Sequence, residues 1–403
     1  MLRRILFVDD EPNILMGLRR SLRPMRAQWE MEFVSSGDEA VQALALRPFD
    51  AVVSDMRMPG MTGAQLLDMV QDKYPETVRV ILSGQSDRES ILRSFATAHQ
   101  FLSKPCDAEQ LKSLLERAIA LTDLLANASL KNFVSRLKSI PSLPLLYHEV
   151  TKELRSENPS TSRLGEIIGQ DMAMTAKLLQ MVNSVAYSVR AEISEPSQAV
   201  LLLGLDTIQA MVVSLSIFSA LDSHVLNPEQ AKRLWEHSAS VSRFSVLIAK
   251  AEGVAARNLA PYQSAGLLHD IGKLVVASAD PETYRMIENL AVTRETDQCL
   301  VETEVLGCNH SEIGAYLLGI WGLPAGIVEA VAWHHRPSDS PITEFSPLAA
   351  VHVASAIDSG LHPEFKHLDG KLDEVFLERL GLAGRLEVWM EHCREQFAET
   401  SPL

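Results

Sequence analysis

Leu267-Leu268-His269-Asp270-Ile271-Gly272-Lys273 sets a histidine and an aspartate side by side within an apolar run. Two adjacent residues of these types in such a setting can face one cavity and offer lone pairs to a metal ion. Working outward, six of the chain's twelve histidines fall between residues 237 and 352: His237, His269, His310, His334, His335 and His352. Around them the apolar residues recur at helical spacing. Leu164–Ile168, Met174–Val182, Pro196–Leu203 and Thr207–Leu221 read as helices, Asn227-Pro228 marks a break, and helices resume to about Phe397. Residues 131–400 are therefore expected to form an all-α unit of two lobes.

The first 125 residues follow another rhythm. Short apolar runs at Ile5–Val8, Glu32–Val34, Ala51–Val53, Val78–Leu82 and Phe101–Leu102 alternate with helical patterns such as Ile14, Leu15, Leu18 and Leu22. This alternation predicts an α/β doubly wound parallel sheet of five strands. In such sheets the site lies beyond the carboxyl ends of the strands. Four of the five strands deliver a polar residue there: Asp9-Asp10, Asp55, Ser83 and Lys104-Pro105. Three carboxylates at one edge repel each other unless a hard divalent cation joins them, and magnesium suits oxygen ligands while leaving positions for phosphate oxygens. Lys104 adds a point charge for the same group, and Ser83 a hydroxyl. A single strand-end aspartate could equally cap the helix that follows it.

Composition narrows the partners. The net charge of −15 opposes non-specific attraction to nucleic acid or anionic lipid, and no lysine or arginine run offsets it. The four cysteines (Cys106, Cys299, Cys308 and Cys393) form no CxxC pair and read as reduced thiols. The first apolar run is too short for a signal peptide, and Asp206 and Gln209 interrupt the longest one. The expectation is a cytoplasmic protein that binds neither DNA nor membrane.

The strand-end residues, with Asp55-Met56-Arg57-Met58-Pro59-Gly60-Met61-Thr62-Gly63, resemble the receiver domain of two-component response regulators. The resemblance implies a flavodoxin-like fold in which Asp55 is the phosphoacceptor. Asp9, Asp10, Asp55 and the carbonyl of Arg57 would hold Mg2+, while Ser83, Phe101 and Lys104 would be the switch residues. It also implies a sensor histidine kinase as phosphodonor. Asp107 is read as capping a helix over 107–130 that leads almost directly into the second unit. A helical connection transmits displacement, whereas a flexible linker mainly sets effective concentration.

In the second unit four segments resemble the HDOD domain, a relative of HD-type metal phosphohydrolases: Ile140-Pro141-Ser142-Leu143-Pro144, Ile168-Gly169-Gln170-Asp171, Leu178-Leu179-Gln180-Met181-Val182-Asn183-Ser184 and Ala199-Val200-Leu201-Leu202-Leu203-Gly204. Trp235-Glu236-His237-Ser238, the His269-Asp270 stretch and His334-His335 continue it. The resemblance implies a possible transition-metal site made of His237, His269, Asp270, His310, His334 and His335. It departs from the hydrolase pattern twice. Serine stands at Ser355, where a later aspartate is expected, with Asp358 one helical turn on and a poor substitute by spacing. His334-His335-Arg336-Pro337 also lacks the Gly-Tyr-Pro that follows in cyclic-dinucleotide phosphodiesterases. Histidines satisfied by backbone carbonyls and an internal His–Asp pair would account for the same residues without metal.

The expected function is that of a response regulator in which phosphorylation of Asp55 switches a helical module that binds a downstream signalling protein or changes its own assembly, for example as a homodimer. The alternative is a phosphorylation-controlled, metal-dependent phosphodiesterase acting on a cyclic dinucleotide or other nucleotide.

Overall fold

The structure, a computed structural model, describes residues 2–83, 97–104, 107–122, 134, 141–142, 144–156, 158–183, 192–214, 219–220, 226–361 and 371–400. The N-terminal part places strands β1 (Arg3–Val8), β2 (Trp29–Val34), β3 (Ala51–Asp55), β4 (Val78–Ser83) and β5 (Gln100–Ser103) in one parallel sheet, in the order β2-β1-β3-β4-β5. All five expected strands are present, and the sheet has the expected fold class. Central strand β3, Ala51-Val52-Val53-Ser54-Asp55, is buried at every position, as a strand covered on both faces must be.

Helices α1 (Pro12–Ser21), α2 (Gly37–Leu46), α3 (Gly63–Lys73) and α4 (Ala108–Thr122) cover the sheet. A capping box between Thr62 and Gln65 starts α3. Its first residue, Gly63, lies so close to the Asp55 carbonyl that a Cβ would fall well inside contact distance. The sequence around Asp55 thus needs glycine for the helix to seat against the strand end. Of the expected connecting helix over 107–130, Ala108–Thr122 is observed, and residues 123–130 lie outside the described residues.

The C-terminal part is helical apart from a parallel pair of two-residue strands, β6 (Pro141–Ser142) and β7 (Ser219–Ala220), which periodicity did not suggest. A first group of helices comprises α5 (Pro144–Leu154), α6 (Thr161–Ile168), α7 (Met172–Asn183), α8 (Pro196–Leu203) and α9 (Leu205–Gln209). The long helix α10 (Pro228–Ala251), started by a capping box of Asn227 and Gln230, forms the spine of the second group. Around it lie α11 (Ala260–Leu268), α12 (Ile271–Ala279), α13 (Pro281–Arg294), α14 (Gln298–Leu306), α15 (His310–Ile320), α16 (Ala325–Trp333), α17 (Pro347–Leu361), α18 (Glu374–Arg379) and α19 (Leu386–Thr400). Asp171 ties the groups together: its carboxylate accepts from the backbone of Met174 at 2.9 Å and from the Trp235 indole at 3.2 Å. Among the described residues no helix is long and apolar enough to cross a membrane.

Helix α7 is buried along its length, and with it Lys177. Its ammonium donates to Gln180 Oε1 at 3.2 Å and stands 3.8 Å from the centre of the Trp321 ring. Burial lowers its pKa from the ordinary 10.5 to about 7. Between these values the unfolded chain binds the extra proton. The cost of burying the charge is therefore full below pH 7 and declines as pH rises toward 10.5. We expect Lys177→Met to raise the melting temperature most at pH 6 and progressively less toward pH 9; a gap that does not vary with pH would contradict this.

Candidate phosphoryl and metal sites

At the carboxyl edge of the sheet, Lys104 joins the ends of three strands. Its ammonium is 2.7 Å from Asp9 Oδ2 and is also paired with Asp55 Oδ1. The second oxygen of Asp55 accepts the backbone N–H of Arg57 at 2.7 Å, and Asp9 Oδ1 that of Glu11 at 3.0 Å. Burial raises the Asp55 pKa above the ordinary carboxylate value, with Lys104 and the Arg57 N–H acting against it. Burial alone would lower the Lys104 pKa, but its bonds to Asp55 and Asp9 raise it above the ordinary value. One ammonium serves two carboxylates here, with Asp10 beside them only partly buried. This excess of negative oxygen donors fits a divalent cation.

Ser83 lies one residue beyond Leu82, which pairs with Asp55 across β3 and β4. Among the described residues its hydroxyl is buried without a hydrogen-bond partner, a state that a phosphoryl oxygen would relieve. Phe101 is buried in the sheet core. Asp9, Asp55, Arg57 and Lys104 thus meet directly, with Asp10 and Ser83 at the same strand ends, whereas Phe101 lies further back along β5.

The second site is built from helices α10, α11, α12, α15 and α16, with ligands at two of their ends and junctions. Gly266 packs α11 against α10, because a Cβ there would overlap the Ser242 backbone. Gly272 packs α12 against the start of α15, because a Cβ would overlap the His310 carbonyl. His269 and Asp270, between these two glycines, are thereby held next to His237 on α10 and His310 on α15. His334 and His335 follow directly after α16. Donor atoms of His237, His269 and Asp270 lie within 4.8 Å of one another, as do those of Asp270, His310, His334 and His335. All six sequence-selected residues meet in one cluster, with Asp270 common to both sets.

The outward nitrogens are occupied. His269 Nδ1 bonds the Gly266 carbonyl at 2.7 Å, and His334 Nδ1 the Val331 carbonyl at 2.9 Å. His237 Nδ1 meets Asp358 Oδ2 at 2.6 Å, and His310 Nδ1 meets Glu302 Oε2 at 2.6 Å. With Nδ1 as donor, a neutral ring carries an inward lone pair on Nε2. Burial alone would lower the His310 pKa, but Glu302 and Asp270 raise it to about 9, so without a metal that ring holds a proton on both nitrogens. His237 and His269 Nε2 are 3.2 Å apart, and His310 and His335 Nε2 are 3.0 Å apart. Facing lone pairs repel unless a proton or cation lies between them. Two nitrogens each 2.0–2.1 Å from a tetrahedral zinc-like ion stand roughly 3.3 Å apart, close to both spacings. Among the described residues His334 Nε2 is buried with no hydrogen-bond partner, and Asp270 Oδ1 lies 3.1 Å from His310 Nε2 and 3.8 Å from His334 Nε2, a converging donor set that fits a cation.

Burial alone would raise the Asp270 pKa, but Lys273, His269 and His310 hold it well below the ordinary carboxylate range. Lys273 Nζ lies 2.6 Å from Asp270 Oδ2, so one oxygen is anchored while the other faces the histidines, 3.1 Å from His310 Nε2. His352 stands outside the cluster, with Nδ1 bonded to the His334 carbonyl at 2.7 Å and Nε2 accepting from the Asp373 backbone at 2.8 Å.

Asp358 is buried and bonds the outward Nδ1 of His237, so it braces that ring from behind rather than taking the ligand position at Ser355. Glu302 and Asp297 were not singled out from sequence. Glu302 holds both Nδ1 and the backbone N–H of His310, and Asp297 lies 3.6 Å from His335 Nδ1. Carboxylates behind histidine ligands orient the rings and raise their basicity. The capping box of Asn309 and Glu312, which begins α15 at His310, was the available sequence signal near this corner.

Residues 5–116 match the response regulator receiver domain family, and residues 140–337 match the HDOD domain family. Among curated proteins, an uncharacterized protein of Treponema pallidum is 29% identical over 217 residues, covering 54% of this chain and 41% of that protein. The response regulator protein PilR of Pseudomonas aeruginosa is 30% identical over 159 residues, covering 39% of this chain and 35% of its own. The chain thus spans less than half the length of these curated relatives. Among solved structures, the MmoQ response regulator of Methylococcus capsulatus is 22% identical with a TM-score of 0.49, over 65% of this chain and 97% of that one.

The glycine contacts yield a direct test. Gly17, inside α1, has nothing within 4 Å of a built Cβ, so Gly17→Ala should stabilise by about 0.5–1 kcal/mol. Gly272→Ala should instead cost about 1–3 kcal/mol through overpacking against His310. Urea denaturation of both variants checks this, and a neutral Gly272→Ala would contradict the packing argument.

Proposed function

The chain belongs to the response regulators that carry a receiver domain ahead of an HDOD domain, and from that premise we propose that phosphorylation of Asp55 switches the helical domain between two states that another signalling protein distinguishes. The observation that carries this reading is the joint of Asp55, Asp9 and Lys104 at the sheet edge, from which β5 leads toward the helical domain. We assign residues 1–125 to the receiver, 107–130 to a connecting helix and 131–400 to the output domain. The net charge of −15 favours a protein partner over DNA, and the reduced cysteines suit a cytoplasmic setting.

In the proposed reaction an Asp55 carboxylate oxygen attacks the phosphorus of a phosphohistidine on a sensor histidine kinase. The P–N bond breaks, the imidazole leaves with the electron pair, and Asp55 becomes an acyl phosphate. Mg2+ held by Asp9, Asp10, Asp55 and the Arg57 carbonyl would neutralise charge on the phosphoryl oxygens. Lys104, already paired with Asp55, supplies a second positive charge to those oxygens. The unpartnered Ser83 hydroxyl then has an acceptor to turn toward. Moving Ser83 makes room for Phe101 to rearrange on the neighbouring strand.

We also infer that the histidine cluster holds one or two transition-metal ions. The unpartnered His334 Nε2, the paired Nε2 atoms and their convergence on Asp270 support this over simple packing. His237, His269, Asp270 and His310 are fully buried and His334 is 2% exposed. With His335 alone partly exposed, so enclosed a ligand set suits an ion that stabilises and reports conformation, whereas catalysis needs an open coordination position. The phosphodiesterase alternative requires this cluster to open. It would be favoured by nucleotide hydrolysis that disappears in both His269→Ala and Asp270→Ala.

With acetyl phosphate and Mg2+ we expect intact-protein mass spectrometry to show one phosphoryl group per chain, absent in Asp55→Asn. Solution scattering or partner pull-down should separate the phosphorylated and unphosphorylated forms. Unchanged incorporation in Asp55→Asn, or two forms that behave alike, would refute the reading.

A further inference from the structure

The two halves of the histidine cluster stand on different supports. His237 and His269 belong to α10 and the end of α11, which pack on each other and on α17. His310 opens α15, and His334-His335 follow α16, so these three side chains lie at the two open ends of one helical hairpin. The hairpin's closed end is Trp321-Gly322-Leu323-Pro324.

The receiver holds that closed end. Gln100 Nε2 donates to the Ile320 carbonyl at 2.8 Å, and the Arg117 guanidinium donates to the Leu323 carbonyl. Gly322, at φ +77, lies so close to the Gln100 amide that any side chain there would overlap it. The positive φ and the missing Cβ both demand glycine at this point. From the other side, Lys177 of the helical domain stacks on Trp321.

Gln100 is the first residue of β5, and Lys104 follows its last. One four-residue strand, about 13 Å long, therefore runs between the Asp9–Asp55–Lys104 joint and the grip on the hairpin. Phe101 is the next residue after Gln100. Arg117 lies on α4, which begins a few residues past Lys104. Both grips thus hang from the segment that phosphorylation of Asp55 would disturb.

We propose that the receiver regulates the His310–His334–His335 half of the cluster through this hairpin, while the His237–His269 half stays in place on α10 and α11. The proposal rests on the reading of the cluster as a metal site. Metal–ligand distances are exacting to about 0.2 Å, so a small shift of the hairpin relative to Asp270 changes the affinity of one half-site. The receiver controls whether the second half of the ligand set closes on the shared carboxylate.

The test uses the full chain with Mg2+, with and without acetyl phosphate. Co2+ binding is followed by visible absorption, and amide hydrogen exchange is read over residues 310–335. Phosphorylation should change the affinity of one of two bound Co2+ ions by about fivefold or more and alter exchange over 310–335. In the double variant Gln100→Ala/Arg117→Ala both responses should vanish, while Asp55 is phosphorylated to the same extent. The single variants, each keeping one of the two hydrogen bonds, serve if the double variant does not fold. A variant that responds like the wild type, or exchange that phosphorylation leaves unchanged, overturns the proposal. If no Co2+ binds, the metal reading fails by itself, and the exchange data still decide whether the hairpin is coupled to Asp55.

Discussion

The Asp270 carboxylate is the point on which the helical domain depends. It is fully buried, carries its charge there, and is shared by two sets of histidine nitrogens. An ionised carboxylate in such a place is costly unless cations and donors surround it. Lys273 answers on one side, and the histidine ring on the other can be completed by metal. The requirement propagates outward. The glycines that flank this segment let α10 and α15 approach it, and Asp358 and Glu302 then fix the rings those helices bring. The contacts that close the cluster are therefore also contacts that set the packing of α10, α11, α12 and α15.

The receiver faces a related electrostatic problem with its buried Asp9 and Asp55 at the sheet edge. Its carboxylates at the sheet edge outnumber the one ammonium among them, so the edge is poised for a divalent cation and a phosphoryl group. The two charged centres lie in separate domains, but β5 and the α15–α16 hairpin connect them in series. Each link is short and hydrogen-bonded at its ends. A chain of this kind carries a displacement when its elements have two discrete arrangements, and Ser83 with Phe101 supplies one such element in the proposed switch.

Much of this was legible in the sequence, for identifiable reasons. Buried parallel strands leave apolar runs, so β1, β3 and β4 could be read directly and the half-buried edge strand β2 only over Glu32–Val34, and polar residues at the strand ends marked the edge where chemistry collects. The six cluster residues were visible because histidine is uncommon and its neighbours were apolar. The bracing role of Asp358 was not read, because spacing along one helix does not reveal which neighbouring helix a side chain will meet. Glu302 and Asp297 were hidden for the same reason, since their partners are eight and 38 residues away in sequence. Gln100, Arg117 and Gly322 look like ordinary surface residues until the domains are seen together. Nothing in local periodicity encodes that contact.

The most direct test of the account is the transition-metal content of the full-length protein, purified without chelators and reconstituted, measured by elemental mass spectrometry beside Asp270→Asn. The account predicts about one or two ions per chain in the wild type and their loss in a variant that retains helical circular dichroism. A wild-type chain that keeps no transition metal, or an Asp270→Asn chain that keeps as much, would contradict it.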